Sequence, residues 1–232
     1  MLHALAVERL CHSEPSDRLR RGQLPRPESH HSRGFRDQAG HNHAALARML
    51  LSRGAAPDAA TPDGSTALHL TSQFGHEGVA EALLELGASP SARTADHASA
   101  LHIASENGHD GVVRVLLRHG APADESSAGH GWTPLLLACQ HGRAAAALAL
   151  IDGGASVDLR RAADGAAPLH LAARYAPLEV VSALLARGAR SDAAAHDGST
   201  PLHFAAHGQG RAEAAAALLR HGAPAPRTTP YP

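Results

Sequence analysis

Lysine is missing from this 232-residue chain, so every one of its 21 basic residues is arginine. That excludes Schiff-base chemistry and any phosphate loop built on a lysine. Aromatic residues make up only 3% of the chain and cysteines number two, Cys11 and Cys139. Two distant cysteines exclude a disulfide scaffold and suit a reducing compartment. No apolar run approaches the length of a membrane span, and the first residues lack the basic start of a secretory signal. The 22 acidic residues nearly cancel the arginines, leaving a net charge of -1. A balance so close to zero argues against bulk attraction to nucleic acid or to an anionic membrane. The arginine clusters, Arg160-Arg161 and Arg18 with Arg20-Arg21, are short and interspersed with acids.

What is abundant is alanine, which supplies about half of the 44% hydrophobic content. A core with so few large side chains must pack in thin layers. A repeat explains how. The phrase Thr66-Ala67-Leu68-His69-Leu70 returns as Ser99-Ala100-Leu101-His102-Ile103, Thr133-Pro134-Leu135-Leu136-Leu137, Ala167-Pro168-Leu169-His170-Leu171 and Thr200-Pro201-Leu202-His203-Phe204. Its spacings are 33, 34, 34 and 33 residues. Gly-Ala keeps the same phase at Gly54, Gly87, Gly120, Gly154, Gly188 and Gly222.

Each unit reads as two short helices and a turn. The Thr or Ser hydroxyls stand where an N-cap accepts from the first free amides of a helix. Proline follows at Pro134, Pro168 and Pro201, where its missing N–H is not needed. Gly75, Gly108 and Gly142 break the first helix. The second carries paired apolar residues such as Val112-Val113 and Leu116-Leu117 on one face, and Gly-Ala ends it in a left-handed conformation. Asp63-Gly64, Asp164-Gly165 and Asp197-Gly198 supply hairpin turns before the next unit.

Period, Thr-Pro-Leu-His, Gly-His and closing Gly-Ala together resemble the ankyrin repeat. The resemblance implies an all-α ankyrin-repeat solenoid of helix-turn-helix units with projecting hairpin loops. It covers a degenerate first unit at 33–57 and five full units from about Asp58, together spanning 33–225. Residues 1–32, rich in Pro, Ser, Arg and His, are expected to be disordered, and 226–232 to fray. Departures from the pattern are His97 for the turn glycine, Leu136 for the motif histidine, Ala167 for the cap and Ala176 for the inter-helix glycine. An extra residue lies near Gly208-Gln209-Gly210. The His97 turn is therefore expected to be looser or of another type, and the fourth and fifth units less regular.

No catalytic arrangement is visible. Nineteen histidines raise the question of metal, yet His69, His102, His170 and His203 occur one per layer and do not converge as zinc ligands must. The resemblance implies that they fasten the turn to the neighbouring threonine. His76 and His109 belong to the fold likewise. His30, His31, His41 and His43 read as polar coil and helix start. Cys139 occupies a small-residue slot as buried filler. No metal and no cofactor is expected.

The resemblance implies a non-catalytic, monomeric interaction module: an adaptor, scaffold or inhibitor that binds another protein by its concave face and hairpin tips. A repeat-array fragment of a larger protein is the alternative. An intracellular setting is implied, cytoplasmic with the nucleus open. Contact positions carried over at the tips are Asp63, Ser65, Asp96, His97, His130, Trp132, Asp164, His196 and Asp197. At the inner-helix ends they are Gln73, Phe74, Glu106, Asn107, Gln140, His141, Arg174, Tyr175 and His207. Asp58, Asp158 and Asp192 are candidates for turn hydroxylation. Phe74, Trp132 and Tyr175 all fall on this predicted edge, either packed locally against a hairpin or presented as anchors.

Overall fold

The computed structural model describes residues 43–127, 131–208 and 211–224. The segment 1–32, the tail 226–232, and residues His30, His31, His41 and His130 lie outside them. Eleven helices occur among the described residues. Helix α1 occupies 43–52. Five pairs follow: α2 Ala67–Phe74 with α3 Glu77–Glu85, α4 Ala100–Asn107 with α5 Asp110–Arg118, and α6 Pro134–Gln140 with α7 Ala144–Asp152. Then come α8 Pro168–Tyr175 with α9 Leu178–Ala186, and α10 Pro201–His207 with α11 Ala212–Arg220. None is long and apolar enough to cross a membrane.

The first helices of the pairs pack in one row, α2 on α4 on α6 on α8 on α10, and the second helices in another. One continuous core runs between the rows. Leucines such as Leu68, Leu101, Leu135, Leu169 and Leu202 alternate in it with alanines such as Ala104, Ala138 and Ala172, all buried. Helices this short do not stand alone in water. They hold because each packs against the helices of adjoining layers, and alanine lets the layers approach. Gly87 closes α3 at a φ of 93°, and its counterparts after the other second helices are also left-handed.

Hairpins lead into each first helix. In the first, Thr61 N–H donates to Ser65 O at 2.9 Å and Gly64 N–H to Thr61 O at 2.9 Å. The second does not loosen at His97. Thr94 N–H donates to Ala98 O at 3.0 Å and His97 N–H to Thr94 O at 2.9 Å, the same two bonds. His97 enters the left-handed region with a φ of 57°. The sterically forced turn wins over the residue's own preference, at a cost of about 1–2 kcal/mol.

Irregularity in the fourth unit is local. Its hairpin closes one residue later, with Gly165 N–H donating to Arg161 O at 2.8 Å. After α8, Ala176 is extended (φ -92°, ψ 156°) and Pro177 starts the next helix, in place of a left-handed glycine. Gly208 in the fifth unit is extended too.

Candidate functional site

The frame of the site is set by the motif histidines. Nδ1 of His69 accepts from the Thr66 amide at 3.1 Å, with the Thr66 hydroxyl at 2.9 Å. That leaves Nε2–H to donate outward, to Ala92 O of the next unit at 3.1 Å. His102 repeats this with Ser99 and reaches Trp132 O at 3.1 Å. His170 accepts from the Ala167 amide at 3.1 Å, so the missing hydroxyl does not lose the turn, and reaches Ser199 O at 3.2 Å. The fastener therefore also ties the first, second and fourth full units to their successors. Burial pushes the pKa of His69, His102 and His170 down, favouring the neutral ring that these bonds require. At Thr66 and Thr200 the hydroxyl turns to the histidine (2.9 Å each) rather than to the amide expected of a cap. Ser99 and Thr133 do accept the expected amides, from His102 at 3.4 Å and Leu136 at 3.3 Å.

The inner-helix ends form a second periodic feature. The last carbonyls of a helix have no partner within it. Here the next unit supplies one. His109 Nε2 donates to Gln73 O at 3.1 Å, Arg143 Nε to Glu106 O at 2.9 Å, and Arg211 Nε to Arg174 O at 3.0 Å. A positive group at a helix C-terminus is also favoured by the dipole. These bonds hold the ends of α2, α4 and α8 at fixed spacing from their neighbours. Their side chains then make a row on the surface. Gln73, Glu106, Asn107, His141, Arg174 and His207 are exposed, and Gln140 is half-buried. Several are partly engaged: Asn107 donates to Ile103 O at 2.9 Å, His141 Nε2 lies 3.6 Å from Glu106 Oε1, and Arg174 lies over the Tyr175 ring.

At the tips, the aspartates serve their own turns. Asp63 accepts from the Thr61 and Ser65 hydroxyls, which hold its pKa down at about 2. Asp197 accepts from the Ser199 amide (2.9 Å) and hydroxyl (3.0 Å). Asp164 is gripped by both arms of Arg161, which lowers its pKa as well. Adjacent tips are joined by Ala95 N–H to Asp63 O and His196 N–H to Asp164 O, both 2.8 Å. Gly64 is needed at this seam, since a Cβ there would stand 3.2 Å from the Thr94 and Ala95 backbone. Asp96, His97, His196 and Asp197 are exposed, while Ser65, Trp132 and Asp164 are half-buried.

The aromatic residues divide. Phe74 is 38% exposed, at the end of α2. Trp132 is half-buried against the core, with the Arg161 guanidinium 4.3 Å from its ring centroid. Tyr175 is half-buried also, with Arg174 at 5.1 Å. Local packing thus accounts for much of Trp132 and Tyr175, and Phe74 is the most open of the three.

Arg161, Arg143 and Arg211 are organising residues that sequence reading passed over, and His109, read there as part of the fold without its partner, joins them. The last three share one repeat offset, just after the inter-helix break, and that was the available signal. Arg161 looked like half of a charge cluster. Cys139 is fully buried, and burial pushes its thiol up to about 12, where it is no nucleophile. Among the described residues no group of three or more His, Cys, Asp or Glu side chains could hold a metal ion.

The chain matches the family model for ankyrin repeats in three copies over residues 92–161 and 153–229, and that for a single ankyrin repeat over 63–95. It is similar to the crystal structure of the human ASB11 ankyrin repeat domain, with a TM-score of 0.67 and 30% identity. That match covers 80% of this chain and 84% of the other. No curated protein sequence matches.

Proposed function

The chain belongs to the ankyrin repeat family, whose members are generally protein–protein interaction modules, and we propose that it binds another protein through the row of inner-helix ends and the adjoining hairpin tips. The supporting observation is the division of labour within each unit. Backbone, histidine and arginine bonds fix the frame, and the side chains between them differ from unit to unit. Phe74, Glu106, His141 and Arg174 then offer an apolar contact, an acid, an imidazole and a base along one edge. That mixture suits a specific polar protein surface with an aromatic anchor. Trp132 and Arg161 add a half-buried flat platform. Of the tip residues, Asp96, His97 and His196 are the ones offered to a partner, because the carboxylates of Asp63, Asp164 and Asp197 are engaged in their turns.

On this reading the protein acts without catalysis and as a monomer, in the manner of an adaptor, scaffold or inhibitor. An intracellular setting, cytoplasmic or nuclear, suits a buried unpaired thiol such as Cys139. The test is affinity capture from cell extract with the wild-type chain beside a Phe74→Ala, Trp132→Ala, Tyr175→Ala variant shown to be folded by circular dichroism. A partner held by the wild type and lost by the folded variant supports the reading. Equal capture by both would place recognition away from this row.

A further inference from the structure

The net charge of -1 conceals an uneven distribution. Residues 43–127 hold ten acids and five arginines, whereas 131–224 hold seven acids and eight arginines. In the first stretch four of the arginines are already paired with acids, among them Arg48 with Glu85 and Arg118 with Glu81. The unevenness is sharpest in one column of the surface. Gln73, Glu106, Gln140, Arg174 and His207 hold the same place in successive units, at intervals of 33, 34, 34 and 33 residues. Its acid and its base stand two layers apart, and both are exposed.

Each has company of its own sign. In the second unit Asp96 is exposed at the tip, and the bond from Ala95 N–H to Asp63 O brings the Asp63 tip beside it. At the fourth unit Arg211 is fixed to the end of α8, donating from Nε to Arg174 O at 3.0 Å and from Nη1 to Ala176 O at 2.6 Å. Arg174 itself lies over the Tyr175 ring. Among the described residues neither arginine is paired with a carboxylate. Both are partly immobilised, so an arriving carboxylate meets cations whose side-chain entropy is already spent in part.

At 8–10 Å per layer, α4 and α8 lie about 16–20 Å apart. That exceeds the Debye length of about 8 Å at physiological salt, so the two ends act as separate fields. A polyanion laid along the row would be drawn to Arg174 and repelled by Glu106 and Asp96. A protein segment carrying both signs satisfies both ends.

We propose that the partner presents a segment of split charge, with basic side chains against Glu106 and Asp96 and acidic side chains against Arg174 and Arg211. The two groups would be about five or six extended residues apart. This rests on the row of inner-helix ends being the recognition edge. The test uses the full chain labelled with nitrogen-15, at low ionic strength, and two synthetic peptides of one composition. In one, an arginine block and a glutamate block flank a neutral linker of about five residues. In the other, the same residues alternate in sign. The split peptide is expected to bind about tenfold or more tighter, shifting amides at the ends of α4 and α8 together. Arg174→Glu should weaken it about three- to tenfold and remove the shifts at α8 while keeping those at α4. Arg174→Gln is the milder variant should the first perturb the fold. Glu106→Gln should do the converse. Equal affinity for the two peptides, or no binding by either, would overturn the split charge and leave recognition at the row to the capture experiment. Tight binding with shifts confined to another face would overturn both.

Discussion

Two junctions in the middle of the stack reach the same geometry by different means. Between the second and third pairs the contact is polar and directional. His102 reaches Trp132 O at 3.1 Å, Arg143 reaches Glu106 O at 2.9 Å, and Arg93 pairs with Glu125 at 2.5 Å. Between the third and fourth pairs Leu136 stands where the histidine would be, and Pro177 where the helix-end donor would be. Neither can donate a side-chain hydrogen bond. That junction is closed by fully buried Leu136, Ala172 and Ala173, by Arg161 stacked on Trp132, and by Arg187 donating to Ile151 O. Close approach replaces reach: a Cβ on Gly142 would stand 2.9 Å from Tyr175 O. The fold thus asks for a fixed layer spacing and is indifferent to whether hydrogen bonds or apolar packing supply it. Only the polar version carries a buried motif imidazole across the junction, while the other is also crossed by the exposed Arg187–Asp152 pair at 2.8 Å.

The largest effect is expected at the apolar junction. Leu136→Ala removes a fully buried side chain and should cost about 2–5 kcal/mol, read as a lower urea midpoint. A loss near zero would mean that the apolar closure contributes little. His102→Leu converts the polar junction toward the apolar one. It strands the Ser99 amide and should cost about 1–3 kcal/mol in the same measurement; a gain would show that the fastener is dispensable. His97→Gly relieves the left-handed turn on the polar side and should raise stability by about 1 kcal/mol. The smallest change concerns the platform. Arg161→Gln uncovers Trp132, the only tryptophan. Its emission should shift to the red while stability falls by less than about 1 kcal/mol.

Much of this was legible from local signals. Cap, proline and glycine positions mark helix ends because those residues act on their own backbone, so the repeat and its helices followed from spacing. The lateral bonds of His109, Arg143 and Arg211 span 35 to 37 residues in sequence. They exist only once layers stack, so spacing alone exposed their common offset and not their partners. Side-chain availability at the tips was harder to read. Asp63, Asp164 and Asp197 look available in a hairpin sequence, yet a short turn satisfies itself with the nearest carboxylate. Trp132 could be read from sequence as either packed or open, because its cover, Arg161, comes from the following hairpin. Phe74, at the end of α2, is 38% exposed, with its ring 6.2 Å from that of His76.

Acid distinguishes the two junctions most directly. The buried imidazoles of His69, His102 and His170 are held below their ordinary value of 6.5. As the pH falls, the unfolded chain therefore binds protons there before the folded chain does. The stability these groups lend is complete above about 6.5 and is lost as the pH drops toward their folded-state values. Hydrogen exchange of the full chain at pH 7.5 and 5.5, corrected for intrinsic rates, resolves where that loss occurs. Faster opening in acid is predicted around the Ser99–His102 turn and the Trp132 loop, with the Leu136 interface keeping its protection until global unfolding. Uniform loosening of both junctions, or none at the histidine, would contradict the claim that one layer spacing is held by two different chemistries.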